Sequence, residues 1–261
     1  MMQEVLDTQP IAYGNLCSRF YDATKSYAPQ QEVDFYASFI QQNPGRVLEA
    51  MSGSGRLQIP LLQRGYLVDG VDNSPTMLAR CHARCAELTL QPEIYEQPLE
   101  ELNLPHQYAT VTIAVGSFQL LYERAQALCA LKKLHAHMQE EGNLLIDVFV
   151  PDMSADPYST RIARIDNRTV IRLMTRQVFH EQERRADAFC NYELVVDGIV
   201  QQREHELIQV TWYTDAEFAQ LLREAGFELI TFYDTTFRAS GPSRVAHAKK
   251  QAPSVPQKET I

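Results

Sequence analysis

Two acids and a run of small residues supply the first chemistry that the chain offers. Glu49 interrupts the apolar run Arg46-Val-Leu-Glu-Ala50, the loop Ser52-Gly-Ser-Gly55 follows at once, and Asp72 stands 19 residues after Gly53. A charge inside an apolar run is rarely buried without a purpose, and a loop of small residues lets backbone approach a ligand closely. Phosphate readings of the loop fail on its residues. A dinucleotide fingerprint needs a third Gly where Gln58 stands, and a phosphate-cradling loop needs Gly-Lys-Ser/Thr where the chain has Gly55-Arg56-Leu57. Carboxylates repel phosphates, whereas two acids around such a loop suit a ligand with a ribose diol and a cationic amino-acid head.

These residues need a sheet to hold them. Arg46–Ala50 and Tyr66–Val71, ending at Asp72, read as parallel strands joined through a helix over Leu57–Arg64. Ser74-Pro75 reads as a cap and first turn of a helix reaching about Glu87. A short strand near Glu93–Glu96, a strand over Ala109–Val115, a helix over Arg124–Met138 and a strand over Asn143–Val150 continue the series. Residues 151 to about 165 read as a loop or short helix. The rhythm then turns antiparallel through Thr169–Gln177, Phe189–Val196 and Ile199–Val210, with Asp197-Gly198 at a two-residue hairpin turn. Thr214 and Glu217 predict a capping box for a helix ending at Gly226, and Phe227–Tyr233 and Ser243–Ala248 a last antiparallel pair.

The expected architecture is α/β: a Rossmann-like, doubly wound, mostly parallel seven-stranded sheet with an antiparallel β insertion. One domain covers residues 1–250, comprising an N-terminal helical lid (1–42), the core (43–150 and 213–250) and the insertion (151–212). Residues 251–261 form a flexible tail.

At Glu49, the glycine loop and Asp72 the chain resembles the class I S-adenosylmethionine-dependent methyltransferases, whose first motif has the form E-x-G-x-G-x-G and whose second strand ends in an acid. The resemblance implies S-adenosylmethionine as cofactor. Glu49 would neighbour the methionine amino group, Gly53 and Gly55 would admit the cofactor, and Asp72, followed by Asn73, would take the ribose hydroxyls. Met51 stands where the family has its first Gly. Gln97 falls near the position from which many members accept from the adenine amino group, with Pro98 or Leu99 as the contact if the register differs by one. Val115-Gly-Ser-Phe-Gln-Leu120 resembles the N-S-F-Q-H-L stretch of a subgroup that methylates small molecules, which implies Ser117 beside the cofactor and Phe118 and Gln119 beside the acceptor. Tyr13-Gly-Asn-Leu-Cys-Ser-Arg-Phe-Tyr-Asp22 resembles the family's lid helix, in which Tyr13 and Tyr21 would cover the methionine end. The insertion and the start of the Thr214 helix resemble deoxyaminosugar and glycine N-methyltransferase relatives, although Ile208 and Thr211 replace that subgroup's His and Arg.

The function so implied is in-line methyl transfer to a small molecule, with an amine as the leading acceptor. A catalytically inactive protein of the same fold that holds cofactor or a partner is the alternative. No catalytic residue is identified, and none is required, because a sulfonium already activates its methyl group. The insertion, about Asp166 to Trp212, is expected to roof the acceptor site or to pair across a monomer–monomer contact, the chain being a monomer or homodimer.

Composition excludes other classes. The 24 Lys and Arg against 33 Asp and Glu give a formal charge of −9, so the broad positive field of a nucleic-acid binder is missing. No apolar run approaches the roughly 20 residues of a membrane span, and the start lacks a basic, apolar leader; a cytoplasmic protein without membrane partners is expected. Five cysteines without a CxxC argue for free thiols and for no metal. His135 and His137 are expected at the surface near a helix end, and His205 in solvent on a strand.

Overall fold

The computed structural model describes residues 13–238 and 241–250; the tail expected from 251 onward lies outside them. Two helices, α1 (Asn15–Thr24) and α2 (Gln30–Gln42), precede β1 (Val47–Ala50). The chain then runs α3 (Gln58–Gln63), β2 (Val68–Asp72), α4 (Pro75–Glu87), β3 (Ile94–Glu96), β4 (Tyr108–Ile113), α5 (Arg124–Ala136) and β5 (Met138–Val148). It continues through β6 (Tyr158–Arg164), β7 (Thr169–His180), β8 (Arg185–Val196) and β9 (Ile199–Thr211), and closes with α6 (Asp215–Glu224), β10 (Phe227–Thr235) and β11 (Ser243–Lys250).

One seven-stranded sheet has the order β10-β11-β5-β4-β1-β2-β3. Its pairs are parallel from β5 to β3, and β11 is antiparallel to both of its neighbours. β1 and β4 are buried along their whole length, as strands covered on both faces must be. One apolar core packs α5 and α6 on the sheet through Leu131, Leu134, Phe218 and Leu222, and a second packs α2 through Val33, Tyr36 and Ile40. The expected doubly wound sheet is therefore the fold. A separate antiparallel sheet, β6-β7-β8-β9, makes up the insertion.

Local signals worked where they were local. Ser74 Oγ accepts from Met77 N–H with Pro75 at the first helical position, and Thr214 and Glu217 form both halves of a capping box. Asp197 and Gly198 both take positive φ, 50° and 79°, as a type I′ turn requires. Three details differ from expectation. Residues 158–164, within the stretch expected to be a loop or short helix, form β6, whose side chains are exposed on both faces except Ala163, so no alternation marks it. Glu140-Glu141-Gly142, between the expected helix and strand, lies inside β5 as an irregularity in its pairing with β4. His135 and His137 are half-buried rather than superficial: His135 stacks edge-on against Phe227, and the His137 ring binds Leu104 N–H and Lys133 O. Among the described residues no helix is long and apolar enough to cross a membrane.

Candidate active site

The carboxyl ends of β1, β2 and β4 open into a cavity of about 970 Å³, at the edge where ligands of such sheets bind. Its walls include Tyr13 and Tyr21 from the N-terminal segment, Glu49 of β1 with Met51, Ser52 and Gly53 of the loop after it, and Asp72 at the end of β2 with Asn73. Val115 to Ser117 after β4, Phe149 after β5, Ile208 and Val210 of β9, and Arg238 also line it.

Three of the lining residues that are not glycine, Tyr13, Met51 and Val115, hold positive φ of 64°, 56° and 59°. That conformation costs a side chain about 1–3 kcal/mol and persists only where the surroundings impose it, typically around binding sites. The neighbouring Gly116, at φ 72°, has no room for a Cβ: the Phe149 ring would lie 2.6 Å away.

Glu49 is buried, with Oε2 lacking any hydrogen-bond partner. Burial pushes its carboxyl up to about 8, opposed by the Arg56 guanidinium. Arg56 is itself buried and holds Glu32 through two hydrogen bonds of 2.8 and 2.6 Å. The hydroxyl of Ser52 is a second buried group without a partner on this wall. Asp72 accepts from Gly53 N–H and Ser74 N–H, each at 2.8 Å, so it ties the glycine loop to the start of α4. Burial raises its carboxyl, and the backbone N–H groups of Ser74, Gly53 and Asn73 oppose the rise. Burial also holds Tyr21 up at about 12 and Tyr13 well above the usual tyrosine range.

Eight expected site residues thus converge: Tyr13, Tyr21, Glu49, Met51, Gly53, Asp72, Asn73 and Ser117. Four lie elsewhere. Gly55, at φ 80°, lets Cys81 and Ile59 pack where a Cβ would stand 2.8 to 3.0 Å from them, so it serves helix packing. Gln97 spends its carboxamide on the backbone of Asn103. Phe118 is wholly buried edge-on against Phe218, 5.5 Å between ring centroids. Gln119, also wholly buried, bonds the backbone of Phe149 in both directions and the Thr211 carbonyl, and so links β5 to the end of β9. Lining residues that sequence reasoning missed include Ser52, Lys25, Arg56, Phe149, Val210 and Arg238. Ile208 and Val210 carried a usable signal, spacing i and i+2 on one strand face; Arg238 carried none.

The N-terminal segment is fastened to both layers. Gly14 N–H and Leu16 N–H donate to Glu206 and Glu204 of β9, and Leu16, Cys17 and Phe20 pack on Ile171, Leu173 and Tyr192 of the insertion sheet. Toward the core, Asp22 accepts from Ser54 Oγ at 2.6 Å and pairs with Arg80.

A family profile described as "Methyltransferase domain" matches residues 47–142. A chain of Geobacillus sp. (strain WCH70), named a methyltransferase with no substrate in its name, is 26% identical over 222 residues, spanning 81% of this chain and 87% of that one. The chain carries a methyltransferase domain and has the fold of the class I S-adenosylmethionine-dependent methyltransferases. Among solved structures, this methyltransferase is similar in fold to the sugar N-methyltransferase KedS8 of Streptoalloteichus sp., with a TM-score of 0.75 at 15% identity over 97% of this chain and 99% of that one. It is similar also to an S-adenosylmethionine-dependent methyltransferase from Clostridium acetobutylicum, with a TM-score of 0.74 at 15% identity over 90% and 98% of the two chains. The donor set fits the methyltransferase cofactor. A partnerless carboxylate oxygen faces a cation's needs, Ser52 offers a free hydroxyl, and each Asp72 oxygen, with one backbone N–H bound, has lone-pair capacity left.

Proposed function

We propose that this methyltransferase transfers the methyl group of S-adenosylmethionine to an amine of a small molecule held beneath β9. The observation that carries the reading is the unpartnered Glu49 Oε2 on the same cavity wall as Asp72. Glu49 takes the methionine ammonium, Asp72 takes the ribose hydroxyls, Met51, Gly53, Asn73 and Ser117 border the cofactor, and Tyr13 and Tyr21 cover its methionine end. When bound, the cofactor supplies a methyl group made electrophilic by its sulfonium.

The protein's remaining work is alignment and exclusion of water. Ile208 and Val210 supply an apolar roof, Phe149 and Leu120 an apolar wall, and the two tyrosines close the N-terminal side. An amine enters as its free base and leaves its proton to solvent, which requires no dedicated triad. The names of two proteins of similar fold support an amine: the sugar N-methyltransferase KedS8 and the amino pentose methyltransferase CalS10. A labelled-methyl assay against a panel of amines, alcohols and carboxylic acids tests the reading, with calorimetry against S-adenosylmethionine and NAD beside it. Methyl transfer confined to oxygen acceptors would overturn the amine; binding without transfer to any acceptor would favour a holding protein.

A further inference from the structure

A second recess shares Lys25, Arg56, Val115 and Arg238 with the main cavity and adds Arg161 and Phe237. None of the residues that bound it is acidic, in a chain of net charge −9. Arg56 is paired through its two Nη groups with the buried Glu32. Lys25 and Arg161 form no ion pair among the described residues, and their contacts are with ring faces: Lys25 Nζ lies 5.5 Å from the Tyr21 centroid, and the Arg161 guanidinium 5.5 Å from that of Phe20. Arg238 lies over Phe149 at 3.4 Å and donates to the Val115 carbonyl at 2.8 Å.

These cations come from three separate places: the end of α1, strand β6, and the segment after β10. Exposed cations normally splay apart in water, whereas here their fields converge. The Lys25 ammonium is pushed down to about 8 by the protein around it and next by Arg238, Arg161 and Arg56. Repulsion of this kind is offset by a bound anion.

We propose that the methyl acceptor carries an anionic group, a carboxylate or a phosphate, and that Lys25, Arg161 and Arg238 hold it in this recess while its nucleophile faces the main cavity. The proposal rests on the reading of the cavity as a methyl-transfer site. The cofactor's own carboxylate is the competing claimant on these cations.

Two measurements separate the possibilities. In the first, inorganic phosphate and acetate are titrated into protein loaded with S-adenosylhomocysteine, for wild type and for the Lys25→Gln/Arg161→Gln variant. In the second, methyl transfer is measured to glucosamine, to glucosamine 6-phosphate, and to glucosamine with a carboxylate in place of its C6 hydroxymethyl. Expected are binding of at least one anion that weakens tenfold or more in the variant, a KM at least tenfold lower for a charged acceptor than for glucosamine, and cofactor affinity within threefold of wild type. Which anion binds, and which charged amine is preferred, distinguishes phosphate from carboxylate. Failure of both anions to bind wild type, or a variant that loses cofactor affinity tenfold while anion binding holds, overturns the proposal. If anion binding behaves as expected and no amine accepts methyl, the recess stands and the amine reading falls.

Discussion

Asp72 and Glu49 play different physical parts although both are buried acids. Asp72 organises the loop through two backbone N–H groups and, in the proposed complex, accepts from two ribose hydroxyls; charge-assisted bonds of this kind contribute about 1.5–3 kcal/mol each. Asp72→Ala is therefore expected to weaken S-adenosylmethionine at least tenfold by calorimetry while circular dichroism stays that of a folded chain. In the proposed complex Glu49 couples binding to pH. Its unfolded value is 4.5 and its folded value about 8, so between those values the native state holds a proton that the unfolded chain has lost. The Glu49 contribution to stability accordingly falls as pH rises across that window and is level above about 8. A ligand ammonium beside Glu49, with Arg56, favours the ionised form over the burial, Glu32 and Asp72 that oppose it. Binding near pH 7 should then release up to about one proton, seen as a dependence of calorimetric enthalpy on the buffer's ionisation enthalpy, and tighten toward pH 8. Glu49→Gln should abolish both effects, and proton uptake by wild type would contradict the assignment. Gln97→Ala is the converse case: with its amide bound to Asn103, cofactor affinity should change by no more than about twofold.

At the level of elements, α1 shows how far apart cause and position can lie. Gly14, at its N-cap, has no side chain to cap the helix, and two of the open N–H groups that every helix start leaves are taken by Glu204 and Glu206, the latter 192 residues from Gly14. Negative charge at that end also suits the helix dipole. Glu204→Gln/Glu206→Gln should loosen this end by about 1–3 kcal/mol. Hydrogen exchange would register it as at least tenfold faster exchange in the first turn of α1, with β1 and β4 unchanged; uniform acceleration across the sheet would instead mean that the carboxylates stabilise the whole fold. Helices α4 and α6, by contrast, carry their own caps at Ser74 and Thr214, which is why their starts were readable. β6 was not readable because its partner β7 supplies the pairing while both of its faces stay wet.

For the whole molecule, the insertion sheet is both roof and lid support. From sequence, removing the insertion would cost only the acceptor step, since the cofactor loop lies in the core. The structure changes that expectation, because Leu16 and Phe20 of α1 rest on the insertion sheet, and burying side chains of this size contributes about 1.5–3 kcal/mol each. Replacing residues 157–211 with a short Gly-Ser linker should therefore weaken S-adenosylmethionine more than tenfold as well as abolish transfer, measured by calorimetry on a chain whose circular dichroism reports an intact core. Affinity within threefold of wild type would show that the lid stands without its support.

Short-range rules carried the order of strands and helices, the caps, the Asp197-Gly198 turn and the placement of Glu49 and Asp72 at adjacent strand ends. Each of these is written in a few neighbouring residues, through hydrophobic period, turn chemistry or the spacing of one βαβ unit. The fates of Phe118, Gln119, Gln97 and Gly55 were not legible in that way. A residue type and its neighbours do not say whether an aromatic ring meets Phe218 or a cavity, nor whether an amide will be spent on a carbonyl of β9. Likewise Lys25, Arg161 and Arg238 are ordinary surface residues in sequence, and they become one positive recess because the lid, the insertion and the sheet edge fold against one another. Such convergence depends on contacts between segments tens to hundreds of residues apart, and only packing of the finished fold brings them within reach.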